Sequence, residues 1–121
     1  MGRLTRISAV LACHLFAAEA ALAHAFLESA QPRVGDTVKS SPSQILLTFT
    51  EDVEPAFSKV VVRDANGARV DTGQMHPAPD SAKELIVPLK PISPGTYRVE
   101  WHVTSIDTHK TEGSYTFTVA P

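Results

Sequence analysis

Apolar and polar residues alternate along much of this chain with the two-residue period of extended strands. Ile45, Leu47 and Phe49 interleave with Leu46, Thr48 and Thr50, the pattern of a half-buried strand. The clearest case comes later: Tyr97, Val99, Trp101 and Val103 point one way while Arg98, Glu100, His102 and Thr104 point the other. Tyr115, Phe117 and Val119 alternate with Ser114, Thr116 and Thr118, and Leu85, Val87 and Leu89 make a further strand before Pro91. Residues 60–63 are a β-branched run leading into Asn66-Gly67, a strong hairpin signal, with the return strand at 68–71. Residues 25–30 form a short first strand, ended by Gln31-Pro32 and a Val34-Gly35-Asp36 turn, with another turn at Ser40-Ser41-Pro42. The polar stretch 72–83, with Gly73, Pro77 and Pro79, reads as a loop; Pro94-Gly95 is a tight turn, and 105–113 is a polar connection. Beyond residue 23 no segment carries a convincing 3.6-residue apolar period. About seven short strands with Pro, Gly and Asn turns imply an all-β, two-sheet sandwich of the immunoglobulin-like kind.

The first 23 residues break this pattern. Arg3 and Arg6 precede a largely apolar run from Ile7 to Leu22, which ends in Ala21-Leu22-Ala23, the three parts of a secretory signal with a small-x-small cleavage site. The run contains His14 and Glu19 and is too short and interrupted for a membrane span. Residues 1–23 are thus expected to be a cleaved export signal, and 24–121 the working domain. A competing reading makes Val10-Leu11-Ala12-Cys13 a lipidation site; Leu11 fits it poorly, and the Ala21/Ala23 pair is better placed.

Composition narrows the function. With 121 residues, 43% hydrophobic and 20% charged, the chain has room for one domain and a targeting segment. The formal charge is −2, and loss of the leader leaves the remainder more acidic. That argues against nucleic acid as a partner, which is bound by clustered Lys and Arg. The only cysteine is Cys13 in the leader, so the processed chain has no disulfide and no thiolate metal site.

Cleavage after Ala23 makes His24 the first residue, whose free amine and imidazole can close on one metal ion as a chelate. Asp107-Thr108-His109 is the second candidate. On extended chain an i, i+2 pair projects to one side, close enough to meet at one ion. Asp-x-His alone is more often a solvated turn; it gains weight jointly with His24. The combined set is rich in nitrogen with one anionic oxygen, and such a set favours tetragonal Cu(II). Glu51 and Glu54 are surface charges by default, or one sits beside the metal and orients a ligand. Met75-His76 offers a thioether, but Met75 is the only methionine left after processing, so no multi-thioether Cu(I) site can be built. His102 reads as a surface histidine and Trp101 as core. No Gly-x-Ser-x-Gly elbow, phosphate-binding glycine loop or His-Glu-x-x-His occurs.

Taken together, these residues resemble the CopC family of periplasmic copper-resistance proteins. The match runs through the Ala21-Leu22-Ala23-His24 start, Pro32 and Gly35, Leu47-Thr48-Phe49-Thr50-Glu51, and Val53-Glu54-Pro55-Ala56-Phe57-Ser58. It continues through Pro94-Gly95-Thr96-Tyr97-Arg98-Val99-Glu100-Trp101, Val103-Thr104-Ser105-Ile106-Asp107-Thr108-His109 and Gly113-Ser114-Tyr115-Thr116-Phe117-Thr118-Val119. The resemblance implies a seven-stranded Greek-key sandwich that binds Cu(II) through the processed N-terminal histidine, an aspartate and a histidine. These fall on His24, Asp107 and His109, with Glu51 as the nearby acid. Two features depart from some relatives: residues 73–80 are not methionine-rich, and no membrane-spanning segment follows Val119, leaving a separate inner-membrane copper transport protein as the partner. Two other functions compete with copper sequestration or delivery. One is a histidine-brace copper oxidoreductase, disfavoured because an equatorial carboxylate would take the position of oxygen. The other is a metal-free envelope interaction module, since this architecture serves many roles.

Overall fold

A computed structural model describes residues 24–121; the expected signal at 1–23, with Cys13, lies outside the described residues. Eight strands form: β1 (Leu27–Gln31), β2 (Thr37–Val38), β3 (Gln44–Phe49), β4 (Lys59–Arg63), β5 (His76–Ala78), β6 (Ser81–Pro88), β7 (Gly95–Thr104) and β8 (Lys110–Val119), with one 3-10 turn at Pro55–Phe57. They make two four-stranded sheets, ordered β1-β3-β6-β5 and β2-β8-β7-β4. The alternating residues face inward as the pattern requires: Ile45, Leu47 and Phe49 from β3, Leu85 and Val87 from β6, Tyr97, Val99 and Val103 from β7, and Tyr115, Phe117 and Val119 from β8 are all buried in one core. Each large apolar side chain removed from water in this way contributes about 1.5–3 kcal/mol.

The strand list differs from expectation in ways that have local causes. Residues 68–71 are not a return strand. The Asn66-Gly67 turn does form, closed by Asp64, whose carboxylate accepts the Asn66 and Ala68 N–H groups at 2.9 Å each. The chain then makes only single bridges, Arg63 to Arg69 and Asp71 to Leu89, as it crosses from the second sheet to the first. Asp71 anchors that crossing: its buried carboxylate accepts the Val62 N–H at 3.0 Å, three Arg69 bonds (Nε to both oxygens, Nη2 to Oδ2) and the Gly73 N–H. Residues 72–83 are not a loop throughout, since β5 and the start of β6 occupy them. β5 lies at a sheet edge, the position in a sheet where a proline such as Pro77 is tolerated. β2 is a two-residue parallel pair with β8, too short to show any alternation.

Trp101 is not enclosed in the core as expected. It is half-buried and packs against the core from its margin, lying across Gly113 of β8, where an added Cβ would come within 2.3 Å of the indole. The connection 105–113 is shorter than expected, because Lys110–Gly113 pair with Trp101–Thr104. β7 ends and antiparallel β8 begins where the chain enters β1, and β3 of the other sheet ends there too, so Thr50, Ser105 and His109 gather at one end of the sandwich.

Candidate metal centre

The entry to β1 is held from both sheets. Ala25 is fully buried, and its carbonyl accepts the Thr111 hydroxyl of β8 at 2.6 Å. Thr50, following β3, accepts the Phe26 N–H at 3.0 Å and donates to the His24 carbonyl at 3.1 Å. With residues 24–26 fixed between Thr50 and Thr111, the His24 ring meets the His109 ring edge-on, centroids 4.9 Å apart, and the Phe26 ring is tilted against it at 5.8 Å.

His109 comes from the turn joining β7 to β8. Asp107 and His109 do not share an extended strand as expected: Thr108 between them has φ 72°, the one positive-φ residue other than glycine among the described residues. The turn is closed by the Ser105 N–H donating to the His109 carbonyl and the Thr108 N–H donating to the Ser105 carbonyl, both at 2.9 Å. It brings Asp107 Oδ1 to 3.4 Å from His109 Nδ1, in a geometry that does not make a hydrogen bond. His109 Nδ1 is buried and has no hydrogen-bond partner. The Ser105 hydroxyl, donating to the Asp107 carboxylate, holds that carboxyl below the usual range; partial desolvation opposes this, and the neighbouring His109 reinforces it.

Glu51 lines an open depression of about 280 Å3 with Asp52, Ser105, Ile106 and Asp107, so it lies near the carboxylate ligand candidate. No hydrogen bond joins Glu51 to either histidine among the described residues. Glu54 serves the backbone instead: its N–H donates to the Thr104 carbonyl, and its carbonyl accepts the Ser58 hydroxyl. Met75 packs against the core, and exposed His76 lies in β5, at the sheet edge opposite β1; neither joins the site. His102 is a surface histidine, paired with Glu112 at 3.0 Å. Among the described residues, no group of three or more His, Cys, Asp or Glu stands close enough to hold a metal ion by itself. What the fold assembles is two overlapping pairs, His24 with His109 and His109 with Asp107. Sequence reasoning missed Thr50, Thr111 and Ser105, whose hydroxyls act through contacts between distant segments.

The fold and this end of it define a two-sheet β protein in which the chain's entry and the β7–β8 turn converge on a histidine pair beside a carboxylate. The CopC domain matches residues 27–120, and the chain belongs to the CopC family. It is 41% identical over 98 residues to Protein YobA of Escherichia coli K12, covering 80% of this chain and 79% of that one. It is 35% identical to Copper resistance protein C of Escherichia coli over 106 residues, covering 82% and 83% respectively. Among solved structures, CopC from Methylosinus trichosporium OB3b matches with a TM-score of 0.72 and 38% identity, covering 81% of this chain and 95% of that one. PcoC, a methionine-rich copper resistance protein from Escherichia coli, matches with a TM-score of 0.72 and 33% identity over 80% of this chain and 99% of its own.

Proposed function

We propose that the chain is a periplasmic Cu(II)-binding protein that holds copper or hands it on, in copper resistance and homeostasis, without catalysing a reaction. After removal of residues 1–23, the amine and imidazole of His24 chelate the ion, His109 adds a second imidazole and Asp107 an anionic oxygen, with Glu51 beside them. Copper is the cargo. A set of three nitrogens and one carboxylate suits tetragonal Cu(II), which also stands at the top of the divalent affinity order.

The observation that carries this reading is the meeting of His24 and His109 beside Asp107, with His109 Nδ1 buried, 3.4 Å from Asp107 Oδ1 and without a hydrogen-bond partner. A buried polar atom left without a partner costs about 1–3 kcal/mol, and a bound ion removes that cost where the nitrogen turns toward it. The names of the relatives support copper as the ion. Copper transport protein CutJ of Bacillus subtilis supports a transport partner: it is 33% identical over 106 residues, which make up only 20% of that protein. Here the partner would be a separate inner-membrane copper transport protein. The Arg3/Arg6 start and the Ala21/Ala23 cleavage pattern support export.

The test is titration of the processed protein with Cu(II), followed by electron paramagnetic resonance. One equivalent should bind with nitrogen hyperfine structure, and His24→Ala and His109→Ala should each weaken binding and change that hyperfine pattern. Failure to take up stoichiometric copper would overturn the reading. Peroxide-driven oxidation of a polysaccharide by the loaded protein would replace it with an oxidoreductase.

A further inference from the structure

Ser105 is only 1% exposed, yet every polar group it owns serves the segment that carries Asp107 and His109. Its N–H and carbonyl close the turn. Its hydroxyl donates to Asp107 Oδ1, with the His109 carbonyl a second acceptor at 3.2 Å, and accepts the His109 N–H at 3.2 Å. The other carboxylate oxygen, Oδ2, makes no hydrogen bond among the described residues. Between the two ligand candidates, Thr108 sits in the left-handed region at φ 72°, a conformation that costs an L-residue roughly 1–2 kcal/mol. A strained residue persists where its surroundings over-determine it, and the surroundings here are the bonds of Ser105.

We infer that Ser105 is a positioning residue for copper: it clamps Asp107 Oδ1 and the His109 backbone so that the Asp107 carboxylate and the His109 ring are set beside each other before the ion arrives. This rests on the copper reading above. A serine needed only to close the turn could do so through its backbone. The hydroxyl instead bonds a carboxylate that faces solvent, fixing its orientation beside His109. Pre-setting ligands in this way removes ordering cost from the binding step.

The experiment compares processed wild-type protein with Ser105→Ala, Ser105→Thr, Thr108→Gly and a remote core control, Val62→Ala. Cu(II) affinity is read by chelator competition, the site by electron paramagnetic resonance, and stability by Tm. Ser105→Ala should weaken copper about tenfold, as loss of an outer partner to a ligand does, and should change the parallel hyperfine splitting. Ser105→Thr, keeping the hydroxyl, should recover both. Thr108→Gly should weaken copper while Tm holds or rises, because glycine relieves the strain while loosening the turn. Val62→Ala should lower Tm and leave affinity and spectrum unchanged.

Wild-type affinity in Ser105→Ala, or a loss no greater than that of Val62→Ala at equal loss of Tm, overturns the assignment. So does a folded Ser105→Thr that binds as weakly as the alanine variant. If wild-type protein itself takes no copper, the functional reading falls and this assignment with it; if wild-type loads and Ser105→Ala loads equally well, only the assignment falls.

Discussion

His24 and His109 meet edge-on with ring centroids 4.9 Å apart, although one begins the described chain and the other lies in the turn before its last strand. The contact is a product of the fold, because Thr50 and Thr111 bring the entry segment to that turn. In the copper reading proposed above, binding depends on the His24 main-chain nitrogen. In chain that retains residues 1–23, this nitrogen is an amide; cleavage turns it into an amine able to ligate. Uncut or N-acetylated protein should therefore bind Cu(II) more weakly than processed protein, by more than the roughly 10–100-fold that loss of an outer partner costs. Competition titration of the two forms checks this. Binding should also weaken from neutrality into mild acid, since the amine and both imidazoles must shed protons to ligate. The Asp107 carboxyl, held low by Ser105, stays ionised through that window, so the acid loss belongs to the nitrogens.

Thr111→Val should separate placement from stability. It removes the hydroxyl bond to the Ala25 carbonyl while keeping a β-branched shape in β8. Stability should fall by about 0.5–1.5 kcal/mol, the net worth of one hydrogen bond. Copper affinity should fall as well, because the His24 segment then keeps only the Thr50 bonds and the burial of Ala25. Denaturant melts and titration of the same variant measure both quantities. Unchanged affinity would show that Ala25 burial is sufficient to place His24.

What the sequence made legible depended on how each feature is encoded. β7 shows plainly because Tyr97, Val99 and Val103 face the core while Arg98 and His102 face water. β5 and β2 do not show, since three residues around Pro77 and two at Thr37–Val38 are held by backbone pairing that side chains do not record. Asn66-Gly67 marks its turn correctly, but the following segment is set by Asp71, whose partners Val62 and Arg69 become neighbours only in the fold. For the site, the joint reading of His24 with Asp107-Thr108-His109 singled out two segments that the fold brings into contact. The geometry joining Asp107 to His109 was not legible, because the left-handed Thr108 replaces the extended chain that i, i+2 spacing suggests.

Tyr115→Phe should leave the protein as stable as before or more so. The Tyr115 hydroxyl is buried with no hydrogen-bond partner, and removing it ends a desolvation cost of about 1–3 kcal/mol at nearly constant shape. Burial also raises this phenol well above its usual range. The folded state therefore keeps a proton that the unfolded state gives up, and wild-type stability falls as pH rises above the ordinary phenol value. In Tyr115→Phe that contribution to the alkaline loss should vanish. Chemical denaturation at neutral and high pH, compared between the two proteins, reads both effects.

Asp71 predicts the opposite limb of the pH profile. Burial alone would raise its carboxyl, but the Arg69 bonds, together with the Val62 and Gly73 N–H groups, outweigh burial and hold it below the usual range. A carboxyl depressed in the folded state stabilises fully above its unfolded value. That contribution is lost as pH falls through the lower folded value, since the unfolded chain then binds the proton first. Asp71→Asn should cost about 2–3 kcal/mol, less than a fully enclosed pair because Arg69 reaches water, and should flatten the acid limb of stability against pH. Copper affinity at neutral pH should be unchanged, because Asp71 holds the crossing between the sheets and takes no part in the His24/His109 contact. Equal acid sensitivity in the variant and wild type would place the acid-labile group elsewhere.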